Sequence, residues 1–248
     1  MTPRVPNEPR TWREWRERFP EMAGQHAMHE AAHAVAAWFL GDWDLVQISM
    51  QPNRKSVARN RRRCFIRPVP IAADAAALKR QWAKYEYARE AIIFLAGPYS
   101  DGATEPSDSH WLELAIEISD DFDAMDHWGG ILTEQMVLDY LKSLSALDDI
   151  TVATLYAYCL FPRSRRRAWR WLDMVAKWTE EMLSLPRMWS AVESLADVLL
   201  RQNTMERLRC LDLIGKAMNH KGAPLYLQLP KWRRRFHLPV PKPTAGVQ

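Results

Sequence analysis

The chain is short of cysteine and of long apolar runs, and each shortage removes a class of protein. Its three cysteines, Cys64, Cys159 and Cys210, are an odd number with no CxxC pair. They argue against a disulfide framework or a thiolate zinc site, and they predict buried thiols in a reducing compartment. No apolar stretch approaches the ~20 residues that a membrane span needs. Met1 to Pro20 is full of Arg and Glu and lacks the apolar core of a signal peptide. The expectation is therefore a soluble, cytoplasmic protein. There is no G-x-x-x-x-G-K-[ST] phosphate loop and no internal repeat.

What is present is enough for a substantial core. The 248 residues are 48% hydrophobic and include 12 Trp, which argues against disorder and allows one large domain or two small ones. Lys+Arg 34 against Asp+Glu 30 gives a net charge of +4, mildly basic and weak evidence for nucleic-acid binding when taken alone. The basic residues are clustered, however, in Arg59-Asn60-Arg61-Arg62-Arg63, Arg163-Ser164-Arg165-Arg166-Arg167 and Lys231-Trp232-Arg233-Arg234-Arg235. Such runs either contact phosphates or anionic lipid, or are solvated loops and tails.

Apolar periodicity predicts a mainly α (α+β) architecture: helices with a small β-sheet beside one of them. Residues 1–20 form an N-terminal basic, Pro-rich arm in which Thr11 to Phe19 is a short helix ended by Pro20. A helix from Glu21 to Leu40 follows, stopped by Gly41. Asp44 to Met50 alternates with period two and reads as a strand, with Cys64-Phe65-Ile66 as its partner beyond the basic loop. Further helices are expected at 72–96, 111–125, 131–145, 148–160, 165–184, 187–202 and 204–218. Residues 21–128 and 129–220 then form two halves of one domain, and 221–248 a Pro- and Arg-rich tail.

The first of the longer helices carries His29-Glu30-Ala31-Ala32-His33, a complete H-E-x-x-H. Side chains four apart on a helix are neighbours, with Cβ atoms roughly 5–6 Å apart. Two imidazoles so placed can share one Zn²⁺ at about 2.0–2.1 Å per bond. Glu30, about 100° around the helix from His29, is placed to act as a general base on a metal-activated water without being a ligand. The bland alternative is two histidines on a helix flank beside a solvated Glu.

A catalytic zinc wants a third protein ligand and one open position. His26 shares the stripe but lies about 10.5 Å from His33 along the axis at 1.5 Å per residue, whereas two nitrogens on one zinc must be about 3.3 Å apart. It is rejected in favour of a role in packing or in supporting the ligands. Ser107-Asp108-Ser109-His110-Trp111 offers two side chains where a loop turns into a helix. Asp108 can serve simply as that helix's cap; His110 has no such local duty, and His127 is the reserve. His110 and Asp108 are thus the candidates for the third ligand, with His110 placed first and Asp108 as the alternative.

Together these segments resemble the peptidase domain of the FtsH-type, AAA-linked zinc metalloproteases. Met28-His29-Glu30-Ala31-Ala32-His33-Ala34 and the apolar run to Gly41 are similar to the family's motif helix, and Leu45 to Met50 to its following strand. Ile92-Ile93-Phe94-Leu95-Ala96-Gly97, with Asp101 near the family's acidic residue, resembles its Gly-ended helix. Ser107 to Ala115 looks like the segment of the third ligand, and Trp189 to Leu200 like the penultimate helix. The likeness spans roughly residues 22–218. It departs from the family at Ala32, where Gly is customary, at His110, where the family has Asp, and in lacking an ATPase module.

The resemblance implies a helical, zincin-like fold, a Zn²⁺ cofactor and peptide-bond hydrolysis. The expected function is a stand-alone zinc metallopeptidase acting on unfolded or flexible protein segments. His29, His33 and His110 would be its ligands, Glu30 its base, and Val46 and Ile48 part of a strand edge that pairs with substrate. An unfoldase acting in trans is a conceivable partner, and oligomeric state is left open. The alternative is a metal-stabilised, catalytically inactive relative with a binding or regulatory role, contacting nucleic acid through the Arg clusters.

Overall fold

A computed structural model describes residues 11–41, 45–50, 59–62, 66–72, 75–101, 108–125, 132–143, 148–219 and 230–235. The architecture is mainly helical with one small antiparallel sheet, as the periodicity predicts. Helix α1 (Trp12–Arg18) starts where the Thr11 side chain accepts the Glu14 N–H. Helix α2 (Pro20–Leu40) bears the histidine motif. Its limits follow from local chemistry: Pro20 lies in the first turn, where its missing N–H costs nothing, and Gly41 ends it at φ 79° with its N–H turned back to Ala37 and Trp38. Ala23, Ala27, Ala31 and Ala34 are essentially unexposed, so neighbouring helices come close to the α2 backbone.

Those neighbours are α3 (Ala77–Ser100) and α8 (Pro186–Arg201), which pack directly on α2. Helix α6 (Asp149–Leu160) packs on α3, and α7 (Arg165–Leu183) on both α3 and α6. Helices α4 (Asp108–Met125), α5 (Glu134–Ser143), α9 (Arg207–Met218) and α10 (Pro230–Arg235) complete the described helices. One hydrophobic cluster runs through α2, α3, α6, α7 and α8. Trp232 of α10 reaches it, 4% exposed and edge-on to Phe39 at 5.2 Å between centroids. Arg235 lies over the Trp178 and Trp232 rings and pairs with Glu181 at 2.7 Å, as does Lys231 at 2.8 Å.

The sheet corrects three expectations. Its order is β2-β1-β3, with β1 (Leu45–Ser49) in the centre, β2 (Arg59–Arg62) on one side and β3 (Thr204–Glu206) on the other. The partner strand is therefore the basic run itself; Ile66 is not in a strand, and Cys64 and Phe65 lie outside the described residues. Thr204–Glu206, expected to open a helix, pairs instead with Ser49, Ile48 and Gln47. Over Gln47–Ser49 β1 is bonded on both sides and offers no edge to a substrate. Ile48 is fully buried, with Met205 opposite it, and so faces the core. Val46 lies in the same strand at the irregularity between Leu45 and Gln47, its side chain outside the described residues.

Candidate metal centre

Three helices converge on the motif. His29 and His33 project from adjacent turns of α2, their Nε2 atoms 3.0 Å apart. Asp149, the first residue of α6, brings its Oδ2 to 2.9 Å from Nε2 of His29 and 3.1 Å from Nε2 of His33. Helix α3 runs behind the pair. The Ile93 carbonyl accepts from Nδ1 of His33 at 2.6 Å, and the Asp101 carboxylate takes Nδ1 of His29 at 2.9 and 3.0 Å.

Those contacts fix the tautomers. A carbonyl and a carboxylate only accept hydrogen bonds, so each Nδ1 carries a proton and each ring, when neutral, presents a lone pair at Nε2. Two nitrogen lone pairs and a carboxylate oxygen thus face one another at about 3 Å, an arrangement that repels itself unless a cation lies among them. The spacing is close to the roughly 3.3 Å separating two ligands on one tetrahedral zinc. A carboxylate or carbonyl behind the far nitrogen of each imidazole is also how metal-ligating histidines are usually held. His29, His33 and Asp149 can hold a metal ion.

Burial pushes the His29 pKa down, but hydrogen bonds to Asp101 and Asp149 and their charges outweigh it and raise the value to about 10. Burial likewise disfavours the Asp149 carboxylate, yet the two histidines overcome it and hold its pKa well below the usual carboxylate range. The start of α6 favours the same charge state, since helix N-termini stabilise anions. Asp148 takes the capping duty there, accepting from the Ile150 and Thr151 N–H groups at 2.8 and 3.1 Å. Asp149 is thereby left to point at the histidines.

Helix α3 approaches so closely that one residue type is needed. A Cβ built on Gly97 would lie 2.4 Å from Nε2 of His33 and 2.6 Å from Nε2 of His29. Any side chain there would occupy the space between the imidazoles and the α3 backbone. The group remains within reach of solvent, with side-chain exposures of 19% for His29, 9% for His33 and 20% for Asp149. Glu30 is 7% exposed. His26 is not in the group; its ring packs on Trp15 at 5.2 Å, the first of the two roles expected of it.

Among the described residues, Asp149 is the third member of the group; the third-ligand candidates named from the sequence were His110 and Asp108. Those two residues lie in the first turn of α4, their side chains outside the described set, and His127 lies outside it altogether. Asp149 had a signal of its own. Asp148-Asp149 opens an apolar helix, and one aspartate suffices to cap it. The second has no local duty, the same reasoning that singled out His110. Comparison with family models and with curated proteins finds no match to this chain.

Proposed function

We propose that this chain is a zinc-dependent metallopeptidase with the FtsH-type peptidase fold, acting on unfolded or flexible protein segments. The observation that carries the reading is the convergence of the His29 and His33 Nε2 atoms and the Asp149 carboxylate at about 3 Å, with both Nδ1 atoms tied down behind them. Two imidazoles and a carboxylate are a donor set that suits zinc. A zinc ion so held supplies Lewis-acid chemistry, polarising a carbonyl and making water a better nucleophile near neutral pH.

The protein's own contribution is to hold and to move protons. Asp101 and Ile93 orient the two rings; Asp149 supplies negative charge. Glu30, adjacent to His29 on the motif helix, is assigned as the general base. It accepts the proton of the attacking water as oxygen bonds to the carbonyl carbon, then passes it to the amine nitrogen as the C–N bond breaks.

Glu30→Gln tests this directly. The variant should retain its metal and lose cleavage of unstructured protein substrates by roughly 10²–10⁴-fold, the usual contribution of a positioned base. Equal cleavage by both proteins overturns the role of Glu30. A zinc-loaded wild type that cleaves nothing in a broad panel of unfolded proteins favours the non-catalytic alternative.

A further inference from the structure

Helix α7 opens on a run of positive charge that its own stability does not explain. The Ser164 hydroxyl caps it, and Arg165, Arg166 and Arg167 fill the first turn. Basic residues there oppose the helix macrodipole, each by roughly 0.3–1 kcal/mol when exposed. Arg165 pairs with Asp123. Arg163, Arg166, Arg167 and Arg170 are all exposed, and their side chains have no hydrogen bond or ion pair among the described residues. Arg170 is one turn from both Arg166 and Arg167, so the three share a face, and Arg163 leads into it. The next acidic residue along the helix, Asp173, is held by Lys177 at 3.1 Å.

The composition of this face decides what it fits. The apolar side of α7 (Ala168, Trp171, Leu172, Val175, Ala176) is buried in the core, leaving nothing to insert into a lipid surface. The exposed large hydrophobic residues among those described, Met22, Trp82, Ile116 and Leu208, lie on other helices, so the face lacks the apolar anchor around which protein interfaces are built. What remains is a row of guanidinium groups, each able to grip a phosphate bidentately. Residues that break a local rule without local compensation are where function is to be sought.

We propose that the exposed Arg163–Arg170 face of α7 binds the phosphodiester backbone of a nucleic acid without reading its sequence. Four arginine–phosphate contacts give a slope of log K against log[salt] of about −3.6 on duplex DNA and −2.8 on a single strand. Raising NaCl from 50 to 200 mM then weakens duplex binding roughly 150-fold.

The test is fluorescence anisotropy of the full chain with a labelled 20-nucleotide single strand, the matching 20-base-pair duplex and a scrambled duplex. The scrambled sequence should bind equally well. Replacing all four arginines by alanine should abolish the salt-dependent binding, while the four-lysine variant keeps the slope. Should the alanine variant misfold by circular dichroism, Arg170→Glu alone should still flatten the slope by one or more.

Three results overturn the proposal. One is no binding of any of these nucleic acids at 20 mM NaCl. Another is binding that survives loss of the α7 arginines but is lost in Arg61→Ala/Arg62→Ala. The last is sedimentation with phosphatidylserine vesicles in place of nucleic-acid binding.

Discussion

Replacing Gly97 by alanine should act against the ordinary rule for helices. In a helix interior this substitution normally stabilises by about 1 kcal/mol, because glycine has more backbone freedom to lose. At Gly97 the new methyl would meet Nε2 of His33 at 2.4 Å, where ordinary contact begins at 3.4 Å. The imidazoles and the α3 backbone must therefore part by 3.4 − 2.4 = 1.0 Å. Overpacking of this kind costs about 1–3 kcal/mol, which cancels or exceeds the helical gain. A displacement of that size is also about five times the ±0.2 Å within which metal–ligand distances must be held.

Gly97→Ala should thus weaken metal binding by at least about 100-fold, the upper end of what losing a supporting contact does. It should leave the metal-free melting temperature unchanged or about 2–4 °C lower for each kcal/mol lost. Gly24→Ala is the internal control: it lies in α2, and nothing stands within 4 Å of its would-be Cβ. That variant should gain about 2–4 °C and bind metal normally. Calorimetry with and without zinc reads both quantities. If Gly97→Ala is stabilised as Gly24→Ala is and keeps its metal, the close approach of α3 to the two histidines is wrong.

Two further perturbations follow from the same geometry. Asp101→Ala removes the acceptor behind His29 and should reduce metal affinity about 10–100-fold, with little effect on the fold because Asp101 is exposed; competition against a chelator measures it, and unchanged affinity refutes the orienting role. Trp232→Ala empties a buried site against Phe39 and releases Arg235 from one of its two rings. It should destabilise by about 3–5 kcal/mol, seen in urea denaturation; a loss under 1 kcal/mol would show that α10 adds little to the core.

The helices were legible because their signals are local. Pro20, the alanine-rich stripe and Gly41 define α2 without reference to anything else in the chain, and the apolar periods of α6, α7 and α8 place them to within a residue or two. The sheet was harder. Strand β3 is three residues long and exists because it pairs with β1 across the sequence, from Thr204–Glu206 to Gln47–Ser49; nothing local distinguishes it from the helix it precedes. Strand β2 was obscured by its arginines, which read as a loop. The α2 half of the metal group was visible because helix geometry alone brings His29 to His33. Its third member lies 116 residues beyond His33, and only the packing of α3 between α2 and α6 brings it there.

Metal content after single substitutions at the competing third positions tests the central claim most directly. Asp149→Ala and His110→Ala, purified alongside the wild type and loaded with zinc, should separate cleanly in bound metal per chain by plasma mass spectrometry. Loss of zinc in Asp149→Ala, with His110→Ala binding one ion as the wild type does, is the expected result. Zinc retained without Asp149 and lost without His110 would contradict the centre formed by His29, His33 and Asp149.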